Sequence, residues 1–213
     1  MKNREIKKHY QSLFANYGVS EKAVQYSDKV TQWARFACLV EYIQKDHSIL
    51  DLGCGLGHFF EFMKKNNFTA DYCGADIVEE FILSCQERFS REEKANFVLL
   101  DDNSKLPHNF DFIIVSGMFN NKRKNNEDFM LQTIRNMFEM CNVGIAFNAM
   151  SRHVDYEEEH LFYSDAESLF AFAKSELGGH PVLNHSYKLD RNAFPHDYTL
   201  TIFKEPQIPS FII

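Results

Sequence analysis

The chain has 213 residues, 45% of them hydrophobic, which is enough for one α/β domain with a modest extension. Its formal net charge of −7 argues against a protein that holds nucleic acid by its phosphates, because such binding needs clustered Lys and Arg. The five cysteines lack CxxC spacing, the first residues do not lead into an apolar signal core, and no apolar run reaches about 18 residues. We therefore expect reduced cysteines, a cytoplasmic location and no membrane partner.

Residues 1–46 precede the first predicted strand and are expected to form a helical extension. Apolar residues recur at spacings of three and four from Val30 to Ile43, and Gly18 interrupts the pattern before them, which predicts two helices joined by a turn. Arg35 lies near this apolar stripe. Its guanidinium can bind a ligand carboxylate with two hydrogen bonds, or the side chain can simply lie on the domain surface.

The segment 48–57 predicts a short apolar strand that ends in Asp51, then a glycine turn, then the start of a helix. Glycines let the backbone turn sharply and let a ligand lie directly against it. The spacing Asp-x-Gly-x-Gly-x-Gly differs from the G-x-G-x-x-G of dinucleotide-binding turns. Asp51 would repel a pyrophosphate but can accept hydrogen bonds from an ammonium group. S-adenosylmethionine fits this requirement, since it carries an ammonium and a sulfonium and no phosphate.

The glycine turn resembles the first motif, D/E-x-G-x-G-x-G, of class I S-adenosylmethionine-dependent methyltransferases. This resemblance implies that Asp51, Gly53 and Gly55 bind the cofactor and that the N-terminal extension lies over the cofactor cleft as a lid. The layout of residues 49–204 is similar to a group of bacterial stand-alone methyltransferases of unassigned acceptor.

A second short strand, at residues 71–76, also ends in a carboxylate. The separation of Asp76 from Asp51 is close to that at which a parallel α/β unit places a ribose-binding acid, and two carboxylate oxygens suit two ribose hydroxyls. The class I resemblance implies the same role, and we include the adjacent Ile77 in the cofactor site. The alternative is that Asp76 only caps the next helix.

The third strand is predicted at residues 96–100 and is followed by two acids. In the class I family, an acid just past this strand accepts the adenine amino group. The resemblance therefore implies this role for Asp101, with Asp102 as the second choice. Two adjacent acids are also compatible with a solvated turn.

The fourth strand is predicted at residues 111–115, and the turn after it lies where open α/β sheets bind ligands. We expect Ser116 and Met118 to supply polar and apolar contacts to the cofactor, with a simple capping turn as the alternative. The turn lacks the Asn/Asp-Pro-Pro-Tyr motif that is usual in methyltransferases of exocyclic base amines or glutamine side chains.

A polar and aromatic cluster follows the fifth predicted strand, at residues 143–150. Loops at this end of the sheet face the methyl group in the class I family, so the resemblance implies substrate contacts here. His153 or His160 can act as a general base, because imidazole titrates near neutral pH. Tyr156 is an alternative, as a wall residue or hydrogen-bond donor. The spacing of the two histidines is too long for joint metal ligation, so we predict no metal.

Two alternating runs, at residues 182–189 and 198–204, predict antiparallel strands near the end of the chain. Class I methyltransferases close their sheet with such a strand, whereas a nicotinamide-binding fold would continue with parallel units. We predict a Rossmann-like α/β fold with a seven-stranded, mostly parallel sheet, closed by an antiparallel strand and covered by helices on both faces. Residues 47–213 would form the methyltransferase domain and residues 1–46 the helical lid.

These features predict an enzyme that transfers the methyl group of S-adenosylmethionine to a hydroxyl, carboxylate or amine of a small molecule, leaving S-adenosylhomocysteine. The expected mechanism is in-line displacement in an enclosed pocket, where alignment matters more than acid–base catalysis. The alternatives are a non-catalytic cofactor-binding module or partner subunit, an RNA or protein methyltransferase, and a nicotinamide dehydrogenase. The acceptor and the choice between monomer and homodimer stay open, as does the role of the apolar tail at 208–213.

Overall fold

The computed structural model describes residues 3–100, 110–189 and 196–208. The helices are α1 (Asn3–Tyr17), α2 (Lys29–Leu39), α3 (His58–Lys65), α4 (Glu79–Arg88), α5 (Asn126–Met140) and α6 (Ala166–Ser175), with a short 3-10 helix at Glu21–Val24. The strands are β1 (Ile49–Leu52), β2 (Tyr72–Asp76), β3 (Ala95–Leu99), β4 (Phe112–Val115), β5 (Gly144–Met150), β6 (His180–Asn184) and β7 (Asp197–Phe203). Within these ranges, no helix has the length and apolar character needed to cross a membrane.

The seven strands form one sheet in the order β3-β2-β1-β4-β5-β7-β6. Strands β1 to β5 pair in parallel with one another, and β7 runs antiparallel to both β5 and β6. The predicted fold class is therefore confirmed. Because β1 lies between β2 and β4, the strand order reverses there, and the carboxyl ends of these strands form the crevice where open α/β sheets bind ligands.

The central strands are buried along their whole length, as expected for parallel strands covered on both faces. The sheet separates two apolar clusters. One contains side chains of α5 and α6, such as Ile134 and Leu169, and the other contains side chains of α2, α3 and α4, such as Phe36, Phe59 and Ile82. Helices on both faces thus hold the strand ends in fixed positions around the crevice.

The N-terminal segment packs on this core through both of its helices. On α1, Phe14 lies edge-on to Phe81 of α4, with ring centroids 5.6 Å apart. On α2, Phe36 packs edge-on to Phe59 of α3 at 5.2 Å. Val30 was predicted to join the buried stripe but is 76% exposed, because α2 begins at Lys29 and places Val30 in its first turn.

The strand predicted at residues 182–189 is shorter than expected. β6 ends at Asn184, whose side-chain Oδ1 accepts a hydrogen bond from the backbone N–H of Ser186 at 3.1 Å. Asn side chains often form such local turns, which take the backbone out of the sheet.

Candidate active site

The glycine turn after β1 has a backbone that other residues rarely adopt. Gly53, Gly55 and Gly57 have φ angles of +81°, +53° and +72°. The backbone N–H of Gly53 donates to the carbonyl of Ala75 in β2 at 2.7 Å, which fixes the turn against the neighbouring strand. A Cβ at Gly55 would lie 2.9 Å from Cγ1 of Val24, so the N-terminal segment packs directly on the turn.

Asp76 ends β2 and ties the glycine turn to the start of α4. It is 8% exposed; its Oδ2 accepts from the N–H of Gly55 and its Oδ1 from the N–H of Val78, both at 2.9 Å. Burial raises the pKa of Asp76, and the backbone donors oppose that rise. Each oxygen keeps a further lone pair for a ligand hydroxyl, so the local bonds and ribose binding are compatible.

Asp51 lies inside β1 and is 2% exposed. Its Oδ2 accepts a hydrogen bond from the hydroxyl of Tyr72 at 2.8 Å. Burial raises the pKa of Asp51 to about 7, with Tyr72 opposing and Asp76 adding to the rise. A ligand cation at this carboxylate would favour its ionised form.

A cavity of about 570 Å³ lies over the glycine turn. Its volume falls within the range of about 300–1,000 Å³ that is typical of ligand pockets. The described residues that we predicted to bind the cofactor all line it: Arg35, Asp51, Gly53, Gly55, Asp76, Ile77, Ser116 and Met118. Asp101 and Asp102 lie outside the described residues.

The three predicted catalytic residues are not brought together. His160 lines the cavity, whereas His153 and Tyr156 are absent from the described part of its wall. His153 Nε2 lies 2.9 Å from Oε1 of Glu167 on the surface, and Tyr156 is 66% exposed. Residues 151–164 contain no helix, and the residues of this segment that line the cavity are His160 and Leu161.

Comparison with known proteins identifies this combination of fold and glycine turn. Residues 50–145 match the family model described as "Methyltransferase domain". The chain is therefore an S-adenosylmethionine-dependent methyltransferase, similar to the class I enzymes. It is 26% identical over 163 residues to "Putative methyltransferase Rv1506c" of Mycobacterium tuberculosis, covering 74% of this chain and 93% of that protein.

Solved structures share the fold at low sequence identity. Magnesium protoporphyrin IX methyltransferase of Synechocystis PCC 6803, with bound S-adenosylhomocysteine, has a TM-score of 0.65 and 12% identity, covering 95% of this chain and 96% of that one. The plantazolicin methyltransferase BpumL, in complex with a triazolic desmethylPZN analog and S-adenosylhomocysteine, has a TM-score of 0.62 and 14% identity, covering 95% of this chain and 98% of that one. The methyl donor of the methyltransferase is S-adenosylmethionine, as the sequence predicted.

The cavity of the methyltransferase fits this cofactor. Gly53 and Met118 both line it, and a Cβ at Gly53 would lie 3.5 Å from Sδ of Met118, at ordinary van der Waals distance. Gln32 also lines the cavity, and its buried Oε1 has no hydrogen-bond partner among the described residues. A buried acceptor of this kind is costly unless a ligand satisfies it. The cavity thus combines the carboxylates of Asp51 and Asp76 with the glycine turn and the unpaired Oε1 of Gln32. These groups suit a ligand that carries ribose hydroxyls and an ammonium.

Sequence reasoning missed the aromatic hydroxyls of the N-terminal segment. The hydroxyl of Tyr26 lies 2.9 Å from Oγ of Ser116, and Nδ2 of Asn148 lies 3.3 Å from the same oxygen. Asn148 Oδ1 also accepts from the N–H of Gly117 at 3.0 Å. These bonds connect the segment before α2 to the ends of β4 and β5. The signal in the sequence was only a tyrosine just before a helix.

Arg35 occupies the cavity wall in a way that neither sequence interpretation anticipated. Its Nε lies 2.5 Å from Oδ2 of Asp197, at the start of β7, and Asp197 is 1% exposed. The guanidinium carbon lies 5.2 Å from the centroid of the Tyr26 ring. The side chain is therefore not a surface residue, and a buried carboxylate of the protein already holds one of its donors.

Proposed function

We propose that the methyltransferase acts on a small molecule, methylating a hydroxyl, a carboxylate or an amine inside the cavity. The observation that carries this proposal is the cover over the glycine turn. Val24 packs on Gly55, and Tyr26 bonds to Ser116, so residues of the N-terminal segment form one wall of the space that the cofactor motif lines. A compact acceptor fits such a space better than a folded macromolecule.

The cofactor would be held by residues from three strand ends. We assign the ribose hydroxyls to Asp76, with Ile77 beside it, and the ammonium to Asp51. Ser116 and Met118 would contact the cofactor from the end of β4. Arg35 has donors besides Nε, and we assign one of them to the cofactor carboxylate.

The chain contributes alignment, exclusion of water and a proton acceptor. When bound, S-adenosylmethionine supplies a methyl group on a sulfonium, so that the bond from acceptor atom to methyl carbon forms as the carbon–sulfur bond breaks and S-adenosylhomocysteine leaves. Holding the acceptor in line and away from water accounts for most of the required rate. A hydroxyl or amine acceptor must lose a proton, and we assign His160 as the base that takes it. Of the three predicted catalytic residues, His160 is the one that lines the cavity.

The proposal is tested by following a labelled methyl group. The purified protein is incubated with methyl-labelled S-adenosylmethionine and a cell extract that has been divided by ultrafiltration into small solutes and macromolecules. We expect label in the small-solute fraction, and loss of that transfer in Asp76→Ala. Transfer to protein or nucleic acid, with none to small solutes, would replace the proposal with a macromolecular acceptor.

A binding measurement separates the cofactor from the acceptor. Calorimetric titration with S-adenosylmethionine and S-adenosylhomocysteine should show saturable binding of both by the wild-type protein. Binding without transfer to any fraction would support the alternative of a cofactor-binding module.

A further inference from the structure

Two buried polar side chains meet in the cavity wall next to the glycine turn. Gln32 lies on α2 and His58 is the first residue of α3; they are 2% and 6% exposed, and both line the cavity. Nε2 of Gln32 lies 3.2 Å from Nδ1 of His58. Oε1 of Gln32 has no hydrogen-bond partner among the described residues. The pair therefore leaves one buried acceptor atom without a donor, close to the cofactor motif.

The protonation of His58 sets the direction of the hydrogen bond in this pair. Burial lowers the pKa of the imidazole, so the ring is neutral near pH 7 and has one nitrogen that accepts. With Nδ1 as that acceptor, the amide N–H of Gln32 donates to it and the ring proton is on Nε2. The carbonyl oxygen of Gln32 is then the atom that a ligand has to satisfy, because a buried acceptor without a donor is costly.

Gln32 lies one helical turn before Arg35 on α2. Residues three apart on a helix are neighbours, with Cβ atoms about 5–6 Å apart. The Nε of Arg35 is held by Asp197, and its Nη1 lies 3.4 Å from the carbonyl oxygen of Thr31. Neither bond uses Nη2. Helix α2 thus brings an acceptor and a cationic donor side by side in the cavity wall, and this pair matches the ammonium and carboxylate of an amino acid.

The ammonium of the cofactor needs more than one acceptor. It carries three N–H donors, and Oδ2 of Asp51 already accepts from the Tyr72 hydroxyl at 2.8 Å. A second acceptor from the N-terminal segment would share these donors with Asp51. The amide of Gln32 suits this place, because a neutral group beside a neutral imidazole leaves no buried charge unpaired when the cofactor is absent.

We propose that Oε1 of Gln32 accepts a hydrogen bond from the cofactor ammonium and that His58 positions the amide for this contact. Gln32 then determines specificity for the intact amino-acid end of the cofactor. This inference rests on the proposed function, since it extends the assignment of the cofactor ammonium and carboxylate made there. It does not depend on which molecule is methylated.

The test compares S-adenosylhomocysteine with two analogues, one with hydrogen in place of the amino group and one with hydrogen in place of the carboxylate. Each is titrated calorimetrically into the full chain without a methyl acceptor. We expect the wild-type protein to prefer S-adenosylhomocysteine to the desamino analogue. Gln32→Met keeps the length of the side chain and removes the carbonyl oxygen. It should reduce this preference about tenfold or more, because a hydrogen bond to a charged group is lost.

Conservative variants separate recognition from a structural role. Gln32→Glu keeps an acceptor oxygen, so it should retain the preference for the amino group. His58→Leu should reduce the preference, whereas His58→Asn should retain most of it, because Oδ1 of asparagine is bonded to Cγ as Nδ1 of histidine is. A change that only loosens the fold would lower the affinity for all three ligands together. If Gln32→Met fails to fold, the two His58 variants give the same comparison.

Gln86→Met is the matched control. Nε2 of Gln86 donates to the carbonyl of Phe97 at 2.9 Å, so this change also removes a glutamine hydrogen bond. Gln86 does not belong to the cavity wall as far as the described residues define it. The control should keep the wild-type preference for the amino group.

Three results would overturn the inference. An unchanged preference in Gln32→Met would mean that the ammonium lies elsewhere. Equal losses for S-adenosylhomocysteine and its desamino analogue, with binding of the decarboxylated analogue spared, would assign Gln32 to the carboxylate. Equal effects of His58→Leu and His58→Asn would remove the positioning role. Label found only in macromolecules would instead remove the proposed small-molecule acceptor and would leave these binding ratios as they are.

Discussion

The glycine-turn side of the cavity and its N-terminal wall are built in different ways. The turn side uses backbone geometry and carboxylates within two adjacent strand–turn units, as in the bonds of Asp76 to Gly55 and Val78. The wall uses side-chain contacts between distant parts of the chain. Tyr26 meets Ser116 and Arg35 meets Asp197, so the wall exists only when the whole fold is formed. The glycine-turn side is thus specified locally, whereas the N-terminal wall depends on tertiary structure.

The largest expected effect comes from the Arg35–Asp197 ion pair. Asp197→Ala leaves a buried guanidinium without its carboxylate, so we expect the free energy of unfolding to fall by about 3–5 kcal/mol. Chemical denaturation measures this. Arg152→Ala, which breaks the more exposed pair with Asp165 at 3.0 Å, should cost only about 0–1 kcal/mol. Equal losses in the two variants would contradict the distinction between a buried wall and the surface.

Asp76→Asn should affect the cofactor side strongly. We expect affinity for S-adenosylmethionine to fall about 10- to 100-fold, because hydrogen bonds to a charged group contribute about 1.5–3 kcal/mol. Calorimetry measures this loss. Asp71→Asn, at the exposed beginning of the same strand segment, is the control and should bind like the wild type. Unchanged affinity in Asp76→Asn would remove the ribose assignment.

Tyr26→Phe should weaken the wall more than the cofactor site. Loss of the bond to Ser116 is expected to lower the free energy of unfolding by about 1 kcal/mol, with a smaller effect on cofactor affinity than Asp76→Asn. Ser116→Ala should be nearly as costly, and the double variant should cost less than the two single changes added together. Full additivity in denaturation experiments would show that the two hydroxyls do not interact.

A separate effect, on the pH dependence of stability, concerns the proton at Asp51. Its pKa in the folded protein is about 7, above its ordinary value, so between these two values the folded state holds a proton that the unfolded state has lost. The free energy of unfolding should therefore fall as pH rises through this window. Asp51→Asn should show a shallower fall over the same range. An identical pH profile in the two proteins would contradict the raised pKa.

Cofactor binding should release the same proton from Asp51, and this release can be measured. The cofactor ammonium favours ionised Asp51, so binding near neutral pH should release a proton and depend on the ionisation enthalpy of the buffer. Calorimetry in phosphate and in Tris measures this difference. The difference should be smaller in Asp51→Asn, and a wild-type heat that is the same in both buffers would count against the ammonium assignment.

The sequence was most informative where a motif and its structure are contiguous. The spacing of Gly53, Gly55 and Asp76 after apolar strands predicted both the turn and the cavity that these residues line. The sequence was least informative after β5, where it named three catalytic candidates, of which only His160 lines the cavity among the described residues. In that segment, backbone bonds such as Arg152 N–H to the Ser164 carbonyl, at 3.1 Å, determine the path.

The residues that the sequence did not reveal share one property. Gln32 and Tyr26 gain their positions from partners far away along the chain, namely His58 for Gln32 and Ser116 for Tyr26. Periodicity and strand-end position carry no information about such pairs. The ion pair of Arg35 could not be predicted for the same reason, because Asp197 is far from it in sequence.

The position of β7 has a consequence for synthesis of the protein. β6 is hydrogen-bonded to β7, and β7 is inserted between β6 and β5, although it is the last of the seven strands to be made. A nascent chain can pair β1 to β5 but leaves β6 without its place in the sheet until residues 197–203 leave the ribosome. Asp197 arrives in the same step and only then can hold Arg35. Emergence of one strand thus completes both the sheet and the N-terminal wall, so ribosome-bound chains stalled before it should expose apolar surface and be substrates for chaperones.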